Sequence, residues 1–353
     1  MKSRICKGLR GPCSFQCHTL GSRFHNSCMI EMEHSREEPG NEHPSLAPLA
    51  SEQFPSLASH GSIARLPLPD FDKTAYRAAD REEKEQLIKQ VTEEAYELLA
   101  QDLKAGRSES LVAYLEAAGR FHQYSFNNMM LILLQRPDAT RVAGFRAWNK
   151  FNRFVRKGEQ GIVVLAPITK VVGRHEETQA DGSKKEAPIR RVVNTKPVYV
   201  FDVSQTDGDP LPEPERHAGD PGKYLSRLEK LYKKHGVTLT YVESLGGADG
   251  VSRGKSVEIV ASLPDAPKFT VLVHELAHEM LHRDEERRKK TDKTIRETEA
   301  EAVAFIVGSA IGLEMGRASS DYIQLYRGDT KTLASSLHAI QDTAAKILSG
   351  LSF

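Results

Sequence analysis

The stretch VLVHELAHEMLH, residues 271–282, constrains this chain more than any other. His274, His278 and His282 recur every four residues. An α-helix turns once in about 3.6 residues, so the three share one face. Two imidazoles one turn apart can hold one Zn2+, and Glu275 beside them can act on water as a general base without being a ligand. The apolar Val271, Leu272, Leu276, Ala277, Met280 and Leu281 bury such a helix. A core helix carrying two hydrogen-bonded histidines is the competing reading.

A catalytic zinc site takes a third protein ligand and keeps one position open. Asp284 stands six residues after His278, where one large peptidase class has a histidine, so that class is excluded. RETEAEAVAFIVGSAIG at 296–312 reads as a helix with an apolar stripe, opening on carboxylates. Glu297 and Glu301 lie at i and i+4 on one face. Glu297 stands nineteen positions after His278, enough for a turn and an antiparallel return. Glu297 is expected as the ligand and Glu301 as the group that orients a histidine; the reversed roles are the alternative. Glu299 points away and reads as a solvated charge. His282 reads as a helix-end residue beside the C-terminal dipole. Tyr322 and Tyr326 could steady an oxyanion, but read as core or surface residues.

The 353 residues leave room for two domains with cores of their own. Hydrophobic (39%) and charged (27%) residues are in globular proportion, and a net charge of +1 excludes a general polyanion binder but not a local basic patch. No apolar run approaches the roughly 20 residues needed to cross a bilayer, and the basic N-terminus lacks the apolar segment of a secretory signal. The expected compartment is the cytoplasm, without membrane partners. All cysteines (Cys6, Cys13, Cys17, Cys28) precede residue 29, which excludes a disulfide framework for the core. With His18 and His25 they match no strong zinc-finger spacing.

Residues 1–68 lack periodicity and are rich in Pro, Ser, Gly and His; they read as a disordered leader. EEKEQLIKQVTEEAYELLAQDL, LVAYLEAAG and a segment from Ser125 to just before Pro137 read as helices. VVLAP and KPVYVFDV read as strands, and the polar GRHEETQADGSKKEAPIRR between them as a long exposed hairpin loop. The Pro- and Gly-rich 206–221 reads as a linker. A helix, a strand, a Gly-rich turn, another strand and a run of helical stretches follow. The expected class is α+β in two domains: helices with a small sheet over 70–205, and a mostly helical unit over 222–353.

RVAGFRAWNKFNRFVRK, residues 141–157, is basic throughout and holds no acidic residue. Its aromatics Phe145, Trp148, Phe151 and Phe154 fall at steps of three. Aromatic faces stack on bases while Arg and Lys neutralise phosphates, the chemistry of single-strand binding. Arg141, Phe145, Arg146, Trp148, Lys150, Arg153, Arg156 and Lys157 are the candidate contacts. A core of aromatics beneath a solvated charged face is the alternative.

YSFNNMMLILLQRPDATRVAGFRAWNKFNRFVRKGEQGIVVLAP resembles the N-terminal domain of the ArdC antirestriction family. Asn127 stands where the family's helix begins, Trp148 to Arg153 matches its Trp-x-x-x-x-Arg stretch, and Lys157-Gly158-Glu159 its Lys-Gly-Glu turn. PVYVFDVSQTDG is similar to the strand that closes the domain. The resemblance spans roughly 75–208 and continues through HELAHEMLH and ETEAEAVAF. It implies a domain that binds single-stranded DNA joined to a zincin-type metallopeptidase, in proteins of mobile elements that protect incoming DNA from restriction. The second half is also similar to the ImmA/IrrE metallopeptidases, which implies a Glu as third ligand at Glu297. The expectation is a single-stranded-DNA-binding, zinc-dependent peptidase acting on an unidentified protein. Two alternatives stay open: a DNA-coating protein whose metal unit is structural or a docking surface, and a regulatory peptidase that never meets DNA.

Overall fold

A computed structural model describes residues 66, 68–178, 184–211, 219–283, 285–289, 292–315, 325 and 329–351. All of the expected leader but Leu66 and Leu68, residues 212–218 of the expected linker, Asp284, Tyr322 and Tyr326 lie outside the described residues.

The N-terminal helices begin where capping residues stand. Asp72 caps the short α1 (Lys73–Ala78). Asp80 and Glu83 form a reciprocal capping box at the start of α2 (Arg81–Lys104). The positive φ of Gly106 (77°) follows directly after its end. Ser125 caps α4 (Phe126–Gln135), which follows α3 (Glu109–Arg120). α2, α3 and α4 each present an apolar stripe, and the stripes meet.

A sheet of order β1-β4-β3 leans on α4, formed by β1 (Val142–Gly144), β3 (Ile162–Thr178) and β4 (Lys184–Asp202). β3 is an edge strand, whose unpaired backbone groups α4 satisfies. The Asn128 amide donates to Leu165 O (2.8 Å) and accepts from Leu165 N (2.7 Å). Gln135 does the same at Val163, at 2.9 and 2.8 Å. The polar segment expected as a hairpin loop instead continues both strands as far as Thr178 and Lys184. Main-chain pairing requires no apolar face, and cross-strand pairs such as Arg174–Glu186 (3.0 Å) suit a ribbon solvated on both sides.

After α5 (Phe145–Asn149) the chain reverses into β2 (Arg153–Val155), which pairs with β5 (Thr206–Gly208). β5 thus occupies the start of the expected linker. Only glycine fits at its end: Gly208 has φ 135°, and a Cβ there would lie 2.1 Å from Asn152 O.

The C-terminal part holds α6 (Lys223–Lys234), a sheet of order β6-β8-β7 and the helices that follow it. β6 (Thr238–Val242) runs parallel to β8 (Ser256–Val260), and β7 (Gly250–Ser252) antiparallel to it. Then come α7 (Asp265–Leu281), α8 (Glu285–Lys289), α9 (Lys293–Ala310) and α10 (Thr330–Leu351). One buried cluster joins α2, α3 and α4 to α6, α7, α9 and α10. The small residues of α3 permit this: Gly119 lies so close to α9 that an added Cβ would be 3.2 Å from Ile306 O. The Gln341 amide on α10 donates to Phe121 O and Tyr124 O, at 3.4 and 3.2 Å. Helices from both sides of the expected linker therefore wall in α9. No helix among the described residues is long and apolar enough to cross a membrane.

Candidate metal centre and basic-aromatic surface

α7 carries two stripes one residue apart. His274, His278 and His282 make one, Glu275 and Glu279 the other. The histidine stripe faces α9, which packs along α7. His274 Nε2 lies 3.0 Å from His278 Nε2, and Glu297 Oε2 lies 3.3 and 3.6 Å from these two nitrogens. Ligands about 2.1 Å from a tetrahedral ion stand roughly 3.4 Å apart, so the donor set and its spacing fit one divalent metal ion. The histidines are buried and Glu297 nearly so. Burial alone would push the Glu297 carboxyl up, but the charges and hydrogen bonds of His278 and His274 hold it well below the usual carboxylate range.

Glu275 is buried beside this triad, toward β7. Burial pushes its carboxyl up to about 8; His274 opposes the shift, Glu297 adds to it, and the Ser252 backbone N–H donates to it. β7 reaches this close because residue 250 is glycine. A Cβ there would sit 2.6 Å from Val271 Cγ1 and 3.0 Å from Glu275 Cγ. Glu279, one turn on, accepts from Ser252 Oγ (2.6 Å), Gly254 N (3.0 Å) and Lys255 N (2.8 Å), fastening the β7–β8 turn to α7.

Two sequence expectations need correction. Glu299 is not a solvated charge: it is 0% exposed, and its Oε2 lies 3.2 Å from His282 Nε2. Glu299 is thus an α9 carboxylate that meets a histidine beyond the triad. α9 is covered by α3 and α10 as well as α7, so even residues off the Glu297 face are buried. His282 is likewise more than a helix-end residue. It is buried, with Nδ1 2.9 Å from His278 Nδ1.

The stretch 141–157 divides. Trp148 is 0% exposed, and its indole N–H donates to Phe201 O at 3.0 Å. It is a core residue, so the expectation of a stacking face there is corrected. Arg153 donates to Thr206 Oγ1 (2.8 Å), Thr206 O (2.9 Å) and Gly208 O (3.3 Å), clamping β2 to β5. Arg156 reaches Glu159 Oε1 and Ser204 O, both at 2.6 Å, and Arg141 is half-buried. Asp202 Oδ2 accepts from Thr140 N (2.8 Å) and Arg141 N (3.0 Å), while Gln205 donates to Glu159 at 3.0 Å. The signature residues of this region thus largely hold one another.

Phe145 (54% exposed), Arg146, Lys150, Phe154 (59%) and Lys157 face solvent. Tyr199 is also exposed (53%), and Phe145 meets Phe201 edge-on, with ring centroids 6.3 Å apart. Sequence reasoning missed Tyr199 and Phe201. The signal was the alternation in PVYVFD, which puts Val198 and Val200 on one face of β4 and the two aromatics on the other.

Residues 81–201 match the family model described as the N-terminal domain of anti-restriction factor ArdC. An uncharacterized protein of Bacillus anthracis is 26% identical over 319 residues, 79% of this chain; the chain spans about half (53%) of that relative's length. The crystal structure of metal-free antirestriction ArdC protein from plasmid R388 aligns with a TM-score of 0.40 and 15% identity, covering 74% of this chain and 97% of that one. Its Mn(II)-bound form aligns with a TM-score of 0.34 and 14% identity, covering 68% and 98%.

Proposed function

We propose that this chain is an antirestriction-type protein of a mobile genetic element, acting in the cytoplasm, in which a basic-aromatic surface binds single-stranded DNA and a zinc-dependent site hydrolyses a peptide bond. The observation that carries the reading is the approach of His274 Nε2, His278 Nε2 and Glu297 Oε2 to within 3.0–3.6 Å of one another, with Glu275 buried alongside. A bound Zn2+ would polarise a carbonyl and activate water for attack on it. The two histidines and Glu297 would hold that ion. Glu275, buried beside them, would take a proton from water as its carboxylate and return it to the leaving amine. Burial of the site keeps bulk water from screening these charges.

The match of residues 81–201 to the ArdC N-terminal domain supports the antirestriction role. Phe145, Phe154 and Tyr199 offer faces on which bases can stack, and Arg146, Lys150 and Lys157 offer charge to phosphates. Glu275→Gln tests the enzyme. It keeps stoichiometric zinc and loses hydrolysis by about 100-fold or more; full activity in that variant ends the mechanism. Titration with a short oligo-dT at two salt concentrations tests the surface, because phosphate contacts weaken as salt rises.

A further inference from the structure

A chain of buried polar groups continues behind the metal centre. His278 Nδ1 lies 2.9 Å from His282 Nδ1, and His282 Nε2 lies 3.2 Å from Glu299 Oε2. The chain is sealed: His278, His282 and Glu299 are all buried.

We infer that His282 and Glu299 are positioning residues that fix the tautomer and ring orientation of His278 for metal binding. The inference rests on the proposed triad. A histidine that ligates through Nε2 must leave that nitrogen unprotonated, so its proton sits on Nδ1. The His278 Nδ1–H then donates to His282 Nδ1, which must offer its lone pair. The remaining proton of a neutral His282 is thereby on Nε2, which donates to Glu299 Oε2. Each link dictates the next, from the carboxylate on α9 to the ligand nitrogen on α7. Removing the acceptor behind His278 frees the ring to turn and to adopt the tautomer whose proton blocks the metal position. The sequence carries this device as the third histidine of the stripe and the carboxylate two residues after Glu297.

The test is zinc affinity of the full chain, measured by competition with a chromogenic chelator. His282→Leu fills the space without an acceptor and is expected to bind zinc about 10- to 100-fold more weakly. In His282→Gln the amide oxygen can accept from His278 and the amide nitrogen donate to Glu299. It is expected to regain most of the loss, which a purely volume-filling role would not allow. Equal affinity in wild type and His282→Leu overturns the inference, as does equal weakening in the Leu and Gln variants. Should His282→Leu not fold, nitrogen-15 NMR of the zinc-loaded wild type decides: His282 protonated on Nε2 supports the relay, and on Nδ1 overturns it. His274→Ala separates this inference from its premise. If wild type and His274→Ala both bind no zinc, the triad itself falls; if only His274→Ala fails to bind, the triad stands and the His282 variants judge the relay.

Discussion

The histidine stripe of α7 and the aromatic run at 145–157 show the same kind of periodicity and come to opposite ends. α7 stays helical from Asp265 to Leu281, so residues four apart meet one wall. The other run is helical only over Phe145–Asn149; Asn152 then takes a positive φ (52°) and the chain returns as a strand. Trp148 goes into the core while Phe145 and Phe154 go to solvent. Spacing predicts a shared face only where a single element is long enough to preserve it.

The contrast can be broken experimentally, most severely at the metal centre. His278→Ala is expected to lose both zinc and hydrolysis, with catalysis down by several orders of magnitude and oligo-dT affinity unchanged. A parallel collapse in DNA affinity would mean that the two surfaces are one functional unit. Next in size is Trp148→Ala, which removes a fully buried indole and its bond to Phe201 O. It is expected to cost about 3–5 kcal/mol in chemical denaturation; a loss under about 1 kcal/mol would return Trp148 to the surface. Phe145→Ala should leave stability within about 0.5 kcal/mol of wild type and weaken oligo-dT binding by about tenfold, as loss of one stacking contact does. Unchanged affinity in both Phe145→Ala and Tyr199→Ala would remove the DNA surface from the proposal.

A pH effect sharpens the comparison further, since another buried histidine, on the α3–α4 turn, lies outside the triad of His274, His278 and Glu297. Burial lowers His122 to about 4 in the folded chain, against an ordinary value of 6.5, with the Gly119 carbonyl opposing the shift. A depressed folded value favours the neutral form, so its contribution is complete above pH 6.5 and is lost as pH falls toward 4. The loss amounts to at most about 3 kcal/mol. His122→Gln should flatten the stability profile over that window; an unaltered slope would assign the acid sensitivity to other groups.

Legibility in the sequence follows from how local each feature is. The helices α2, α3, α4 and α6 are readable from their apolar stripes, and His274, His278 and Glu297 converge as their spacing suggests. Glu299 is not legible because α3 and α10 cover faces of α9 that α7 leaves open, so a residue off the Glu297 face is buried as well. β7 was missed because its three residues take their place from Gly250 against α7 and from Glu279 gripping the turn, neither visible as alternation. Phe201 is not legible because it meets Phe145, more than fifty residues earlier in the chain.

The central claim is that Glu297 completes a metal centre with His274 and His278. Zinc per chain after equilibrium dialysis, measured by elemental analysis, tests it directly in wild type, Glu297→Ala and Glu301→Ala. One zinc in wild type and Glu301→Ala, with none in Glu297→Ala, is the expected result. Zinc retained by Glu297→Ala and lost by Glu301→Ala would contradict it.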